Sequence, residues 1–451
     1  MKSVVRLIAG VLIFSCLATF GIWRYDAIPD LSFLTDLVEK ASAEVEGAID
    51  KITHFLPTDQ NGEYPTYTLE EPPSPELEQK ICDAFDAHEA SINVSGDDLT
   101  PESAEAVITW VRFTHPEYFY VNGSFSYYTG LNGTVTVILP DYLYDEATTA
   151  AMMLEYDAVL DGIEAGAPVG SDFDKLLYLH DYFVREYSYD DTLTIRDAHT
   201  FFTQKTGVCQ AYMLALIAAA ERLGIESLPV TSDAMKHAWN LVCLDGEWYH
   251  VDLTWDDSVS LPTQTSYLYF LQSAQGLVNT DVAQGGDLDK DVTSVHNSWA
   301  AAETADSTKY DGAVWRGALS PMVKEGGTYY CVVSEPDNAD KNVRGSIWGG
   351  SDPAALARLS DIQAVWRPSS LQYYTNCYAC LAVYGGKLIY NTSSTLRCFD
   401  PATGTDTLVA WPQWDTPIYG ISPVSATGTV TCLLASSPHA TTYTERTYQL
   451  S

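Results

Sequence analysis

Apolar positions recur with two different periods along this chain, and the change from one to the other divides it. The first part is mainly helical in period. Leu34, Val38, Ala41, Val45, Ala48, Ile52 and Phe55 recur at alternating steps of four and three, a seam that suits either a self-associating stalk or a single amphipathic helix. Five prolines between His54 and Glu76 interrupt the period and predict a linker. Helices are then predicted over 75–92, from an N-cap at Thr100 with Pro101 behind it to about residue 113, over 145–165, and over 172–187, where the Ser171 to Asp174 spacing makes a capping-box-like start. Aromatic and β-branched runs at 118–128 and 134–139, separated by a Gly/Asn turn, predict a hairpin between the second and third of these helices.

Beyond Thr265 the helical period fades and Tyr, Trp, Thr and Gly dominate. Three similar units follow: SPMVKEGGTYYCVVSE, ACLAVYGGKLIYNTSSTLRCFDPATG and GISPVSATGTVTCLLASS, with Gly326, Gly385 and Gly428 at their turns. Each has a strand, a tight turn and a second strand, as in propeller blades or a small antiparallel sandwich, with too few units to close a propeller. These patterns predict an acidic helical stalk and linker at 25–74, a principal domain with its helical and hairpin lead-in at 75–300, and an all-β accessory domain at 305–451.

Composition changes this picture at two points. With 60 acidic against 24 basic side chains the net charge is −36, a field that repels phosphate backbones and argues against a nucleic-acid partner. The run from Leu7 to Trp23 carries no charge and follows Lys2 and Arg6. It predicts a signal sequence or membrane anchor over 1–24, either retained or cleaved, for instance after Ala18, with a lipid-modified Cys16 as a third reading. On any of these the remainder is extracytoplasmic, membrane-anchored or secreted. Nine cysteines are spread thinly, below the density of a disulfide scaffold. Cys377 and Cys380 form a lone C-x-x-C in a strand-like context, which reads as a buried structural pair rather than a zinc or redox site.

The chemistry concentrates between Gly207 and Asp257. A run free of Gly and Pro from Cys209 to Leu223, stopped by Gly224, predicts a helix with Cys209 in its first turn, where unpaired N–H groups and the dipole favour a thiolate. Asp245-Gly246 predicts a type I′ hairpin turn. That turn pairs Leu244 with Glu247, then Trp239 with Asp252 and His237 with Thr254, so His237 and Asp252 share a face one diagonal step apart. A thiol, an imidazole and a carboxylate so placed are a nucleophile, a base and its orienting group. His250 shares the face but reads as a packing or hydrogen-bonding residue. His180 reads as a structural histidine, and its neighbour Asp181, offset by about 100° on the helix, is not a natural partner. The adjacent Asp256 and Asp257 do not make a calcium loop.

GVCQAY around Cys209, HAWNLV around His237 and WYHVDLTWDD around Asp252 resemble the core of the transglutaminase-like superfamily, a papain-related group that includes many bacterial extracellular proteins. The resemblance implies an α+β fold, a nucleophile helix packed on an antiparallel sheet, with Cys209, His237 and Asp252 as catalytic residues in that chain order. It further implies that Tyr189, in the lead-in LHDYFVREYSYDD, assists the oxyanion. No cofactor or metal is implied. The expected activity is acyl transfer to an amine, or hydrolysis, of protein or peptide amides at the cell surface. The other class of function is a catalytically idle surface binding protein that recognises through its aromatic-rich β domain. Where relatives have Gly-Tyr-Ala after the Cys and its neighbour, this chain has Ala211, Tyr212 and Met213, bulk expected to narrow the cleft.

Overall fold

The computed structural model describes residues 72–232, 235–257, 261–283, 301–336, 343–363, 366, 377–412, 414–438 and 440–450. The apolar run with Cys16, the stalk helix and nearly all of the Pro-rich linker lie outside the described residues. Among those described, no helix is long and apolar enough to cross a membrane. The described chain forms two compact units, the first built from residues 72–112 and 120–146 and the second from 113–119 and 147 onward.

The first unit holds α1 (Pro75–Asp86), β1 (Ile92–Asn93), α2 (Pro101–Thr114), β2 (Val121–Thr129) and β3 (Val135–Tyr142), with the strands in the order β1-β3-β2. Ser74 caps α1 by accepting the Leu77 N–H at 3.3 Å. Thr100 and Ser103 exchange reciprocal hydrogen bonds of 3.2 and 2.8 Å at the start of α2. The helix expected over 75–92 stops at Asp86. His88 takes a left-handed φ of 47°, and Ile92 leaves to pair with Ile138 of β3, so strand pairing overrides the helical period.

The second unit begins with α3 (Glu146–Gly166), α4 (Asp172–Glu186), β4 (Ser188–Tyr189), α5 (Ala198–Gln204) and β5 (Thr206–Gly207). Its central helix is α6 (Cys209–Arg222), in which every residue from Cys209 to Ala220 is buried. A helix apolar on all sides belongs in an interior. This one packs on the antiparallel sheet β6-β7-β8, formed by Ser227–Ser232, His237–Leu244 and Glu247–Val251. The short α7 (Leu253–Asp256) follows β8. A further helix, α8 (Ala274–Ala283), forms where no helix was expected from the pattern. The fold is α+β, with this buried helix on an antiparallel sheet and an all-β C-terminal region.

That region consists of three antiparallel meanders: β9 to β12 (Val323–Glu325, Thr328–Pro336, Val343–Gly350, Ala357–Gln363), β13 to β16 (Leu381–Tyr384, Lys387–Asn391, Leu396–Asp400, Thr405–Ala410), and β17 to β19 (Ile418–Ile421, Thr429–Leu434, Thr444–Gln449). Gly326, Gly385 and Gly428 all sit at positive φ in tight turns. Most of the large aromatics point inward: Tyr330, Trp366, Tyr378, Tyr390 and Tyr419 share one buried cluster. Cys377 and Cys380 are buried and unpaired, and burial pushes their thiols up, to about 12 and about 11. Cys380 Sγ donates to the Thr263 carbonyl at 3.0 Å. Among the described residues no cluster of His, Cys, Asp and Glu could hold a metal ion.

The capping box of α4 is also a tie to the β region. Asp174 accepts from the Ser171 backbone at 2.8 Å, from Lys324 Nζ at 2.7 and 2.8 Å and from the Tyr329 hydroxyl at 2.7 Å. Burial alone would raise its carboxyl, but the hydrogen bonds from Lys324, Tyr329 and Ser171 hold it down at about 2. A folded-state value below the unfolded one adds stability above about pH 4 that is lost as the pH falls toward 2. Asp174→Asn is therefore expected to lower stability by on the order of 2 kcal/mol at pH 6. In denaturant melts against wild type the deficit should shrink below pH 4, and a deficit equal at pH 6 and pH 2.5 would refute the charge-based account.

Candidate active site

The segment entering α6 is built for close approach. Tyr189 of β4 pairs in parallel with Gly207 of β5, and the Val208 N–H donates to the Ile195 carbonyl at 2.9 Å. A Cβ on Gly207 would sit 2.7 Å from both Ala211 Cβ and Phe201 Cδ2, so only glycine fits. The chain then turns into the helix at Cys209, its first residue, which is buried. The first N–H groups of a helix have no acceptor one turn back, so the thiol lies at the positive end of the helix dipole.

His237 is the first residue of β7. Its Nε2 meets Asp252 Oδ2 at 2.5 Å, which leaves Nδ1 as the ring's second nitrogen, and the Cys209 side chain lies within electrostatic reach of the ring. Burial alone would lower the imidazole's pKa. The charge and hydrogen bond of Asp252, with those of Cys209, outweigh burial and raise it to about 10. The ring stacks on Trp255, with centroids 4.7 Å apart and planes at 6°, and on Trp239 at 5.5 Å and 20°. The structure therefore brings Cys209, His237 and Asp252 together.

The turn register is as expected as far as it runs. Asp245 and Gly246 have φ of 55° and 81°, Leu244 pairs with Glu247, and the ladder continues to Asn240 and Val251. The two further pairs do not form. Asp252 leaves the strand to cap α7, its Oδ1 accepting the Trp255 N–H at 3.0 Å, and His237 pairs on the other edge of β7, with Ser232 of β6. One carboxylate thus serves two purposes, with Oδ1 fixing the turn and Oδ2 meeting the imidazole.

His250 accepts the Trp239 Nε1–H at Nδ1, 2.9 Å away, as the hydrogen-bonding residue expected. Tyr189 is 39% exposed; its phenol is pushed up by burial and then by the charge of Cys209, so it lies within electrostatic reach of the sulfur. Two expectations need correction. Ala211 and Met213 are 0% and 1% exposed and do not face a cleft; Ala211 packs toward Gly207, and the Met213 carbonyl accepts from Asn240. His180 and Asp181 do meet, at 3.2 Å, because Tyr267 draws both: His180 stacks on its ring at 4.9 Å and Asp181 accepts its hydroxyl at 2.8 Å.

Other contributors were not read from the sequence. Trp239 and Trp255 stack on the imidazole, and the only sequence signal was their position two and three residues from His237 and Asp252. The Tyr212 hydroxyl, on α6, donates to Asp257 Oδ2. Burial pushes the Asp257 carboxyl up to about 7 against the opposing effect of that hydrogen bond.

Residues 160–253 match the family model of the transglutaminase-like superfamily core. No curated protein matches the chain. Among solved structures it aligns with a TGase at 15% identity and a TM-score of 0.21, over 27% of this chain and 41% of that one. It also aligns with a protein described as a candidate cysteine protease from Cytophaga hutchinsonii, at 17% identity and a TM-score of 0.20, over 27% of this chain and 51% of that one. The chain thus covers about half or less of the length of either. The matched span takes in α4, α6 and the hairpin that carries His237 through to Asp252, so the part of this chain that holds these residues is the part similar to the transglutaminase-like superfamily core.

Proposed function

We propose that the chain is a cysteine enzyme that forms a thioester on Cys209 from a protein or peptide amide and passes the acyl group to an amine or to water. One observation carries this reading: the His237 imidazole hydrogen-bonds Asp252 and lies within electrostatic reach of the Cys209 side chain. In the first half-reaction the Cys209 sulfur attacks the amide carbonyl carbon, a C–S bond forms, and charge collects on the carbonyl oxygen. The C–N bond then breaks as imidazolium protonates the departing nitrogen, which leaves as ammonia or an amine. In the second, an amine or water attacks the thioester, its proton passes to His237, and the thiolate departs. Asp252 keeps the imidazole oriented and offsets its positive charge throughout. The Cys209 N–H and the Tyr189 hydroxyl are the donors proposed for the oxyanion. By the same reading the N-terminal apolar run holds or exports the enzyme, and its substrates lie outside the cytoplasm.

The test is site-resolved alkylation by iodoacetamide below pH 7, read by mass spectrometry. Cys209 is expected to label at least tenfold faster than any other cysteine, since Cys331, Cys377 and Cys432 have thiols raised by burial to about 12 and only the thiolate reacts. Cys209→Ala is expected to abolish turnover of a glutamine peptide with a primary amine, whose products distinguish an amine adduct from the free acid. Equal labelling of all cysteines, or full turnover in Cys209→Ala, would sink the assignment.

A further inference from the structure

We infer that His180 is a positioning residue for this site, acting through Asp256 on the short turn that carries Asp252. The inference rests on the reading of Cys209, His237 and Asp252 given above. It starts from a structural problem: Asp252 is presented by α7, only four residues long. A single turn of helix has almost no stability of its own, so its orientation is set by whatever grips its side chains.

Four side chains along the turn are held from β7, α4, α6 and the segment that carries Tyr269. Asp252 meets His237 on β7. Trp255 stacks on the same imidazole and meets Tyr269 edge-on at 4.8 Å. Asp257 accepts from Tyr212 on α6. Asp256 is fully buried, and its Oδ2 meets His180 Nε2 at 3.1 Å while its Oδ1 accepts the Ser266 hydroxyl at 2.8 Å. The Tyr269 N–H reaches both Asp256 oxygens at 3.1 and 3.2 Å, while the Tyr269 carbonyl accepts the Asp252 N–H at 3.1 Å. Asp252 and Asp256 are therefore fastened to one stretch of backbone.

The His180 and Asp256 side chains are both 0% exposed. Around the imidazole stand Asp181 from its own helix, Asp256 from α7, and the rings of Tyr267 and Phe270 at 4.9 and 4.6 Å. The Arg316 guanidinium also acts on Asp256 through its charge. An ionised carboxylate out of water needs a cation and hydrogen-bond donors. An imidazolium with one N–H toward Asp256 and the other toward Asp181 meets that need, and without it Asp256 retains only neutral donors. The same short turn thus carries a second buried His–Asp pair, with no exposed face for a substrate.

The experiment uses the full chain carrying His180→Gln, with Val184→Ala as a control. Val184 is buried on the same helix, and its truncation opens space without removing any member of the network. The readouts are the thermal midpoint and the pH at which alkylation of Cys209 sets in. Loosening Asp252 weakens the imidazolium that pairs with the thiolate, so His180→Gln is expected to move that onset upward by about one pH unit, roughly fivefold slower labelling at the wild-type midpoint. kcat should fall by at least tenfold with KM within about twofold, the mark of an effect on orientation rather than binding. Val184→Ala should lower the thermal midpoint and leave the pH profile unmoved. If His180→Gln does not fold, Asp181→Asn is read instead, with a smaller upward shift expected. A wild-type profile in the folded variant, or an equal shift in Val184→Ala, overturns the inference. Failure of the underlying reading looks different: the wild-type onset would then be unaffected by His237→Ala.

Discussion

Asp252→Asn is expected to lower turnover by roughly 1,000- to 10,000-fold while leaving the chain folded. The expectation follows from the division of labour between the two carboxylate oxygens. Oδ1 accepts the Trp255 N–H and starts α7, and asparagine is as good an N-cap as aspartate, so the turn is kept. Oδ2 faces His237 Nε2. An amide NH₂ there would donate to that nitrogen, force the proton onto Nδ1, and leave the imidazole unable to take a proton from the thiol side. The charge that holds imidazolium would also be lost. In the wild type that charge contributes to raising His237 to about 10, so the ion pair persists through neutral pH and is lost as the pH rises through about 10. In the variant this alkaline limb should move to lower pH. The check is kcat/KM against pH for both proteins, with circular dichroism to establish folding. Retention of more than a tenth of wild-type kcat/KM by a folded variant would show that Asp252 does not orient the base.

What could be read from the sequence was local. The capping box at Ser171, the start of a helix at Cys209 and the Asp245-Gly246 turn each depend on residues within a few positions of one another, where propensity and steric rules decide the conformation. The family resemblance covered the same stretch and placed the same residues. The exit of Asp252 from the hairpin was within reach, since an aspartate before Leu-Thr-Trp can be read as a helix N-cap. The burial of Ala211 and Met213 was also within reach, since a helix apolar on all sides belongs in an interior; the close packing of Ala211 on Gly207 was not. The meeting of His180 with Asp256, 76 residues away, is set by tertiary packing and leaves no trace in periodicity. Three acids within six residues, Asp252, Asp256 and Asp257, look like a solvated cluster in sequence. In the fold each reaches a different element, and their number reflects how many directions the turn is held from.

The largest loss of stability is expected at a residue that no sequence pattern marked. Arg316 is half-buried, and desolvation of its guanidinium pushes it down to about 10. It donates to backbone carbonyls throughout: Nη1 to Tyr267, Leu268 and Phe270 at 3.3, 3.0 and 2.9 Å, Nη2 to Leu271 and Tyr310 at 2.7 and 3.0 Å, and Nε to Tyr310 and Asp311 at 3.2 Å each. The guanidinium also lies over the Trp315 ring at 5.0 Å. These bonds fix a segment in which Leu271 is held at a left-handed φ of 55°, a strain that persists only where the surroundings enforce it. Arg316→Met removes five donors and leaves several carbonyls buried without a partner, at a cost of roughly 3–5 kcal/mol. Arg316→Lys should recover little, because an ammonium has three donors and no planar fork. The same segment carries Tyr267 and Tyr269, which hold Asp181, Asp252 and Asp256, so local loosening reaches the turn behind His237. Urea melts followed by circular dichroism should show a lowered midpoint for both variants. Site-resolved alkylation below the transition should show Cys209 losing its rate advantage before the chain unfolds. A midpoint equal to wild type in Arg316→Met would mean that those carbonyls find other donors and that the clamp contributes nothing.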